Sequence, residues 1–178
     1  MLTNSTQRVM FLLIIILSGN MIIKKVYGAK RYSALIREIK AKVYQPDVVT
    51  DVKTSMRKVN RTTAFADVSF KVLKQLNKVP TSVELFRISG VSRNQLPLNI
   101  TGDGCILLKN NYLVAADLRR SGLPDCPLLG DIILKDLYIQ PKNIPNMGIL
   151  GKFLLKATFM FENKLLGIAE VSVELVMQ

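Results

Sequence analysis

Apolar and polar side chains alternate one for one through Ala66-Asp67-Val68-Ser69-Phe70-Lys71-Val72, with the even positions apolar and the odd ones polar. Successive side chains of an extended chain point to opposite faces, so this run predicts a half-buried β-strand. The period returns near the C-terminus, where Phe153, Leu155, Ala157, Phe159 and Phe161 share one face. Ala169, Val171, Val173 and Leu175 then alternate with Glu170, Ser172 and Glu174, and Asn163-Lys164 supplies the turn of an antiparallel hairpin. Ser82 to Ile88 predicts a strand that loses its alternation near Phe86, as a bulge would make it do. Ile132 to Ile139 predicts another, followed by a loop from Pro141 to Pro145.

The period is helical in two places. Between Lys30 and Val43, Tyr32, Leu35, Ile36, Ile39 and Val43 recur at helical spacing against Arg37, Lys40 and Lys42. This predicts a short N-terminal element packed on the domain, with a basic amphipathic helix on a membrane surface as the alternative. Asn110 to Ser121, carrying Leu113, Ala116 and Leu118 and ending in Arg119 and Arg120, predicts a short helix closed by Gly122 and Pro124. Many strands, turn signals between them and one or two short helices predict a mainly β fold, an antiparallel, immunoglobulin-like two-sheet sandwich. No internal repeat or low-complexity tract is present.

The first residues follow a different rule. Arg8 precedes the unbroken apolar run Val9 to Leu17, which suits the core of a signal peptide and falls short of the roughly 20 residues that cross a bilayer. Ser18, Gly19 and Asn20 end it, and cleavage is placed near residue 19 or, by preference, near residue 28, where small residues close Val26-Tyr27-Gly28-Ala29. A signal anchor extended through Met21-Ile22-Ile23 is the rival. The expected division is a signal peptide at 1–29, an N-terminal segment at 30–45 and a single sandwich domain at 46–178. About 150 mature residues are enough to bury one core.

Export gives the cysteines a meaning. Cys105 and Cys126 are the only two in the chain, and in an oxidising compartment they predict one disulfide, the alternative being two separate buried thiols. Asn60-Arg61-Thr62 and Asn99-Ile100-Thr101 are glycosylation sequons, Asn60 opening a strand and Asn99 lying in a loop. Removing residues 1–29 takes away three of the 25 basic side chains and none of the 13 acidic ones, leaving a net charge of +9. Such a charge favours anionic partners. The cations are scattered among apolar positions, however, where a nucleic-acid footprint concentrates them with aromatics on one element. No nucleic acid is expected.

Catalytic chemistry has little to stand on. The chain has no histidine, which removes the usual general base, the Ser-His-Asp arrangement and nearly every zinc site. Asp131 with Asp136, and Glu170 with Glu174, read as solvent-side polarity on strands. Gly102-Asp103-Gly104 and Gly148-Ile149-Leu150-Gly151 lack the strand-then-helix context of a phosphate loop. The expectation is a binding module and no enzyme, with no catalytic residue, cofactor or metal.

One combination of residues resembles a known family. Val59-Asn60-Arg61-Thr62 opening a long strand is followed by Asn99-Ile100-Thr101, Asp103-Gly104-Cys105, Cys126-Pro127 with Gly130-Asp131-Ile132, a proline-rich loop and a closing hairpin. This order, from about Asp47 onward, is similar to a family of small secreted insect proteins that includes the chemosensory CheB proteins. The resemblance implies a fold like the MD-2-related lipid-recognition (ML) domains, whose two sheets part to hold a lipid, and a role in contact chemosensation through hydrophobic cues or a sodium channel. The extra cysteines that many members carry around Val52 to Thr63 are missing here.

Taken together, the expected protein is secreted, glycosylated and binds a lipid or another long-chain hydrophobic ligand. Val68, Phe70, Val72, Leu85, Phe153, Leu155, Phe159 and Phe161 are the candidate lining. The competing reading is an extracellular interaction module for a membrane receptor or channel, with a closed core; a cationic membrane-binding defence protein ranks third.

Overall fold

In the computed structural model, which describes residues 32–61, 63–112, 114–140 and 150–177, the alternating run at Ala66 to Val72 sits in the middle strand of a sheet. Among the described residues the chain runs β1 (Tyr32–Val43), β2 (Val49–Lys58), β3 (Ala64–Leu76), β4 (Pro80–Ser89), β5 (Ser92–Asp103), α1 (Gly104–Lys109), α2 (Ala115–Arg120), β6 (Leu128–Leu137), β7 (Gly151–Phe161) and β8 (Lys164–Met177). A five-stranded sheet has the order β1-β8-β7-β4-β5 and a three-stranded one the order β2-β3-β6, with every pairing antiparallel. Among the described residues the protein is a mainly β two-sheet sandwich with two short helices.

The core is what the alternation requires. Val72, Ile132 and Leu134 point inward from the three-stranded sheet and pack with Val48, Leu76, Leu128 and Leu166. A second cluster joins Ala34 and Ile36 of β1 to Ala66, Leu137 and Val173. The β7–β8 hairpin turns at Glu162 and Asn163, both at positive φ (48° and 61°), as a tight two-residue turn between twisted strands demands. Near Phe86 the register against β5 shifts between Glu84 and Phe86, at the place where the alternation fails.

Other expectations need correction. Of the segment expected at 30–45, Tyr32–Val43 is an edge strand of the sandwich, β1, rather than a helix or a separate element. The helical spacing has a physical source: β1 bulges between Ile36 and Glu38, so the inward positions Ala34 and Ile36 continue at Ile39 with a gap of three. The helix expected at Asn110 to Ser121 is shorter, Ala115–Arg120, and Gly122 ends it at φ +113°. A Cβ at Gly122 would also meet the Ile133 carbonyl oxygen at 2.8 Å, so only glycine fits. The strand expected at Ile132 to Ile139 runs from Leu128 to Leu137. Asn60 lies in the exposed β2–β3 connection and opens no strand, and Asn99 lies in strand β5 and not in a loop. Gly102-Asp103-Gly104 does join a strand to a helix. There the Asp103 carboxylate already caps α1, accepting from Cys105 N at 3.0 Å and from Val79 N at 3.1 Å. The expected signal peptide, the Pro141 to Pro145 loop and Leu113 fall outside the described residues.

Helix α2 is fastened by a buried carboxylate. Asp117 is fully buried; it pairs with Arg120 at 2.9 Å and accepts from Gln140 N at 3.1 Å. Arg120 in turn donates to the Tyr138 carbonyl at 2.6 Å, and Lys135 N donates to the Ser121 carbonyl at 2.7 Å. Helix and β6 are thereby clamped along the same edge. Asp117→Ala leaves the Gln140 amide without its charged acceptor, and the expected cost is about 2 kcal/mol, measured as a lower urea midpoint at unchanged slope. Equal stability of the variant and the parent would show that the clamp contributes nothing.

Candidate functional site

Three strands cannot cover five. Neighbouring strands are about 4.8 Å apart, so the larger sheet is broader by two strand widths, about 10 Å. The two sheets meet closely on one side, where β1 lies by β2 and β3 and the Thr54 hydroxyl reaches the Ile39 carbonyl at 3.5 Å. The surplus width therefore falls on the other side, at β4 and β5. The segment between β5 and β6 spans that side: α1 packs on β5, α2 on β6, and Cys105 bonds to Cys126 across a separation of 21 residues. Gly104 allows the close approach, since a Cβ there would meet Thr81 Oγ1 at 2.7 Å. Arg119 adds contacts to Asn111 at 3.3 Å and Asp125 at 3.1 Å.

Burial divides the expected lining residues. Val68, Phe70, Phe159 and Phe161 come together from β3 and β7 and are half-buried beside the first cluster, although their strands direct them between the sheets. Leu155 is likewise half-buried, against the second cluster. Val72, Leu85 and Phe153 are only 1%, 3% and 2% exposed. Those three are already covered by the protein itself, and they differ in this from the other five.

Several inner-face residues were not anticipated. Ile100 lies opposite Val83 across β5 and β4, Val83 opposite Ala157 across β4 and β7, and all three are half-buried. Leu96 and Leu98, half-buried too, flank the register shift beside Leu85. Leu96, Leu98 and Ile100 have period-two spacing, but Pro97 interrupts it and Asn99 is expected in a loop. Proline is tolerated because β5 is an edge strand and one of its ladders is missing. At the end of the same face, Arg87 stands opposite Phe153 and Asn94.

The arrangement is therefore an apolar surface between two sheets, incompletely covered along β4, β5 and β7 and bounded by a disulfide-linked helical strap. Its chemistry is that of contact with hydrocarbon. Among the described residues, no three His, Cys, Asp or Glu side chains gather as metal ligands, and no helix is long and apolar enough to cross a membrane. No family model and no curated protein matches the chain. Among solved structures, a Niemann-Pick type C2 protein from the Japanese carpenter ant is similar over 82% of this chain and 93% of its own, at 10% sequence identity and a TM-score of 0.29.

Proposed function

We propose that the protein is a secreted carrier that holds a lipid or another long-chain hydrophobic ligand between its sheets, without enzymatic activity. One observation carries the reading: Val68, Phe70, Val83, Ile100, Leu155, Phe159 and Phe161 face inward yet remain half-buried. In a closed sandwich such side chains interdigitate and lose their solvent contact. Apolar surface left uncovered there is stabilised by any long apolar molecule that displaces the water. The Cys105–Cys126 disulfide supports export. Glycosylation at Asn60 and Asn99 belongs to this proposal, and both asparagines are exposed. A part in chemosensation follows only from the sequence resemblance.

The test is thermal unfolding of delipidated protein with and without fatty acids, long-chain hydrocarbons and phospholipids. A ligand at 100 times its dissociation constant adds about 2.7 kcal/mol to the native state. Native mass spectrometry of the protein as purified should show the retained molecule. No shift with any class, and no retained mass, would end the carrier reading.

The alternative, an interaction module for a receptor or channel, draws on the opposite surface. Leu73, Leu129 and Ile133 lie on the outer face of the three-stranded sheet and are 46%, 57% and 55% exposed. That reading requires a closed core and therefore no stabilisation by lipid.

A further inference from the structure

Arg87 is a cation on a largely apolar face. It lies directly opposite Phe153, which lies opposite Val173, and both of those side chains are only 2% exposed. Arg87 itself is exposed. It occupies the end of the surplus strip formed by β4 and β5, with Asn94 opposite it on the edge strand. From Val83, which pairs with Ile100, to Arg87 the strand advances about 13 Å.

The other arginines of this sheet are engaged. Arg37 pairs with Glu174 at 2.6 Å and Arg93 with Glu170 at 3.8 Å. Arg87, among the described residues, has no ion-pair or hydrogen-bond partner. A long stem on apolar surface with its guanidinium in water is the usual resting arrangement of arginine at such a border. What distinguishes this one is its place: among the inward register positions of β4 and β5 it is the one charged residue, two residues beyond Leu85 and opposite Asn94. A guanidinium fork binds carboxylate or phosphate through two parallel hydrogen bonds, and the Asn94 carboxamide is a further donor beside it.

We infer that the ligand is an amphiphile with an anionic head, a carboxylate or a phosphate, held by Arg87 and Asn94 while its hydrocarbon lies along Val83 and Ile100 toward Phe159. This rests on the carrier reading and adds the chemistry of the head. The head stays at the rim, where it keeps part of its hydration, so the site need not bury a charge.

Calorimetric titration of delipidated protein with palmitate, hexadecyl phosphate and hexadecanol, each kept below its micelle concentration, tests the inference. At least one anion should bind about tenfold more tightly than the alcohol, a difference of about 1.4 kcal/mol. Arg87→Gln should bring that anion close to the alcohol's level while leaving the unfolding temperature of the delipidated protein unchanged, and Arg87→Lys should retain part of the preference. The anion that loses more to Arg87→Gln identifies the head as carboxylate or phosphate. If hexadecanol binds as tightly as both anions, or Arg87→Gln leaves the anion-to-alcohol ratio unaltered, the inference fails and the carrier reading stands. If none of the three binds, the carrier reading fails and takes the inference with it.

Discussion

Replacing Cys105 and Cys126 together by serine is expected to lower the stability of the folded protein by about 3 kcal/mol. The bond closes a loop whose ends are 21 residues apart, and in the chain-entropy account a loop of that size restricts the unfolded chain by about this amount. The effect has a second part. The bonded segment carries both helices across the side where the narrower sheet leaves the wider one uncovered, so its loosening exposes the inner face of β4 and β5. The double variant should therefore bind a hydrophobic dye more strongly than the parent while still folded, in addition to melting earlier. Denaturant unfolding without reductant measures the first part. A variant as stable as the parent would mean that the clamp at Asp117 holds the strap alone.

Leu134→Ala and Phe159→Ala should part company in delipidated protein, although both residues face inward from opposing sheets. Leu134 is 4% exposed and sits within the first cluster. Its truncation removes buried methylenes and leaves a cavity, at a cost of about 2 to 5 kcal/mol. Phe159 is half-buried at the margin of that cluster, and its truncation should cost clearly less than the roughly 3 to 5 kcal/mol of a fully enclosed phenylalanine. The order reverses for ligand. Phe159→Ala should lose most of the stabilisation that a bound lipid confers, and Leu134→Ala should keep it. Urea unfolding of both variants with and without ligand measures all four quantities. Equal large losses of stability for both, with no ligand effect in either, describe a closed core.

Why the two positions differ is a matter of sheet width, and that separates what a local pattern can say from what it cannot. Alternation at Ala66 to Val72, and again along β7 and β8, is set by backbone geometry alone. Any chain with that pattern hides one face of a strand, and the hairpin, the inward direction of Val68, Phe70, Phe159 and Phe161, and the mainly β class were all legible. The pairing of Cys105 with Cys126 was equally accessible, because two cysteines leave one partner each. β5 hid behind its proline and asparagines, since edge strands tolerate residues that central strands reject. β1 hid behind a bulge, which converts a period of two into a gap of three.

Asp117 shows the same boundary from the polar side. Its i,i+3 pairing with Arg120 is an ordinary helix-surface pattern that does not mark it as the most enclosed carboxylate of the described residues; its second partner, Gln140, arrives from 23 residues away. Arg87 reads as one more cation in a basic chain until the register places it beside Phe153 and Asn94. The sequence by itself determined the alternating strands at Ala66 to Val72 and along β7 and β8, which face of each is apolar, and which two sulfurs can join, because these follow from neighbours along the chain; β1, β2 and β5 it did not mark as strands. Tertiary structure alone decided how many strands each sheet has and which of them face each other. Whether an inward side chain is enclosed, like Leu134, or left at the margin, like Phe159, depends on that count, since a three-stranded sheet runs out of width before a five-stranded one.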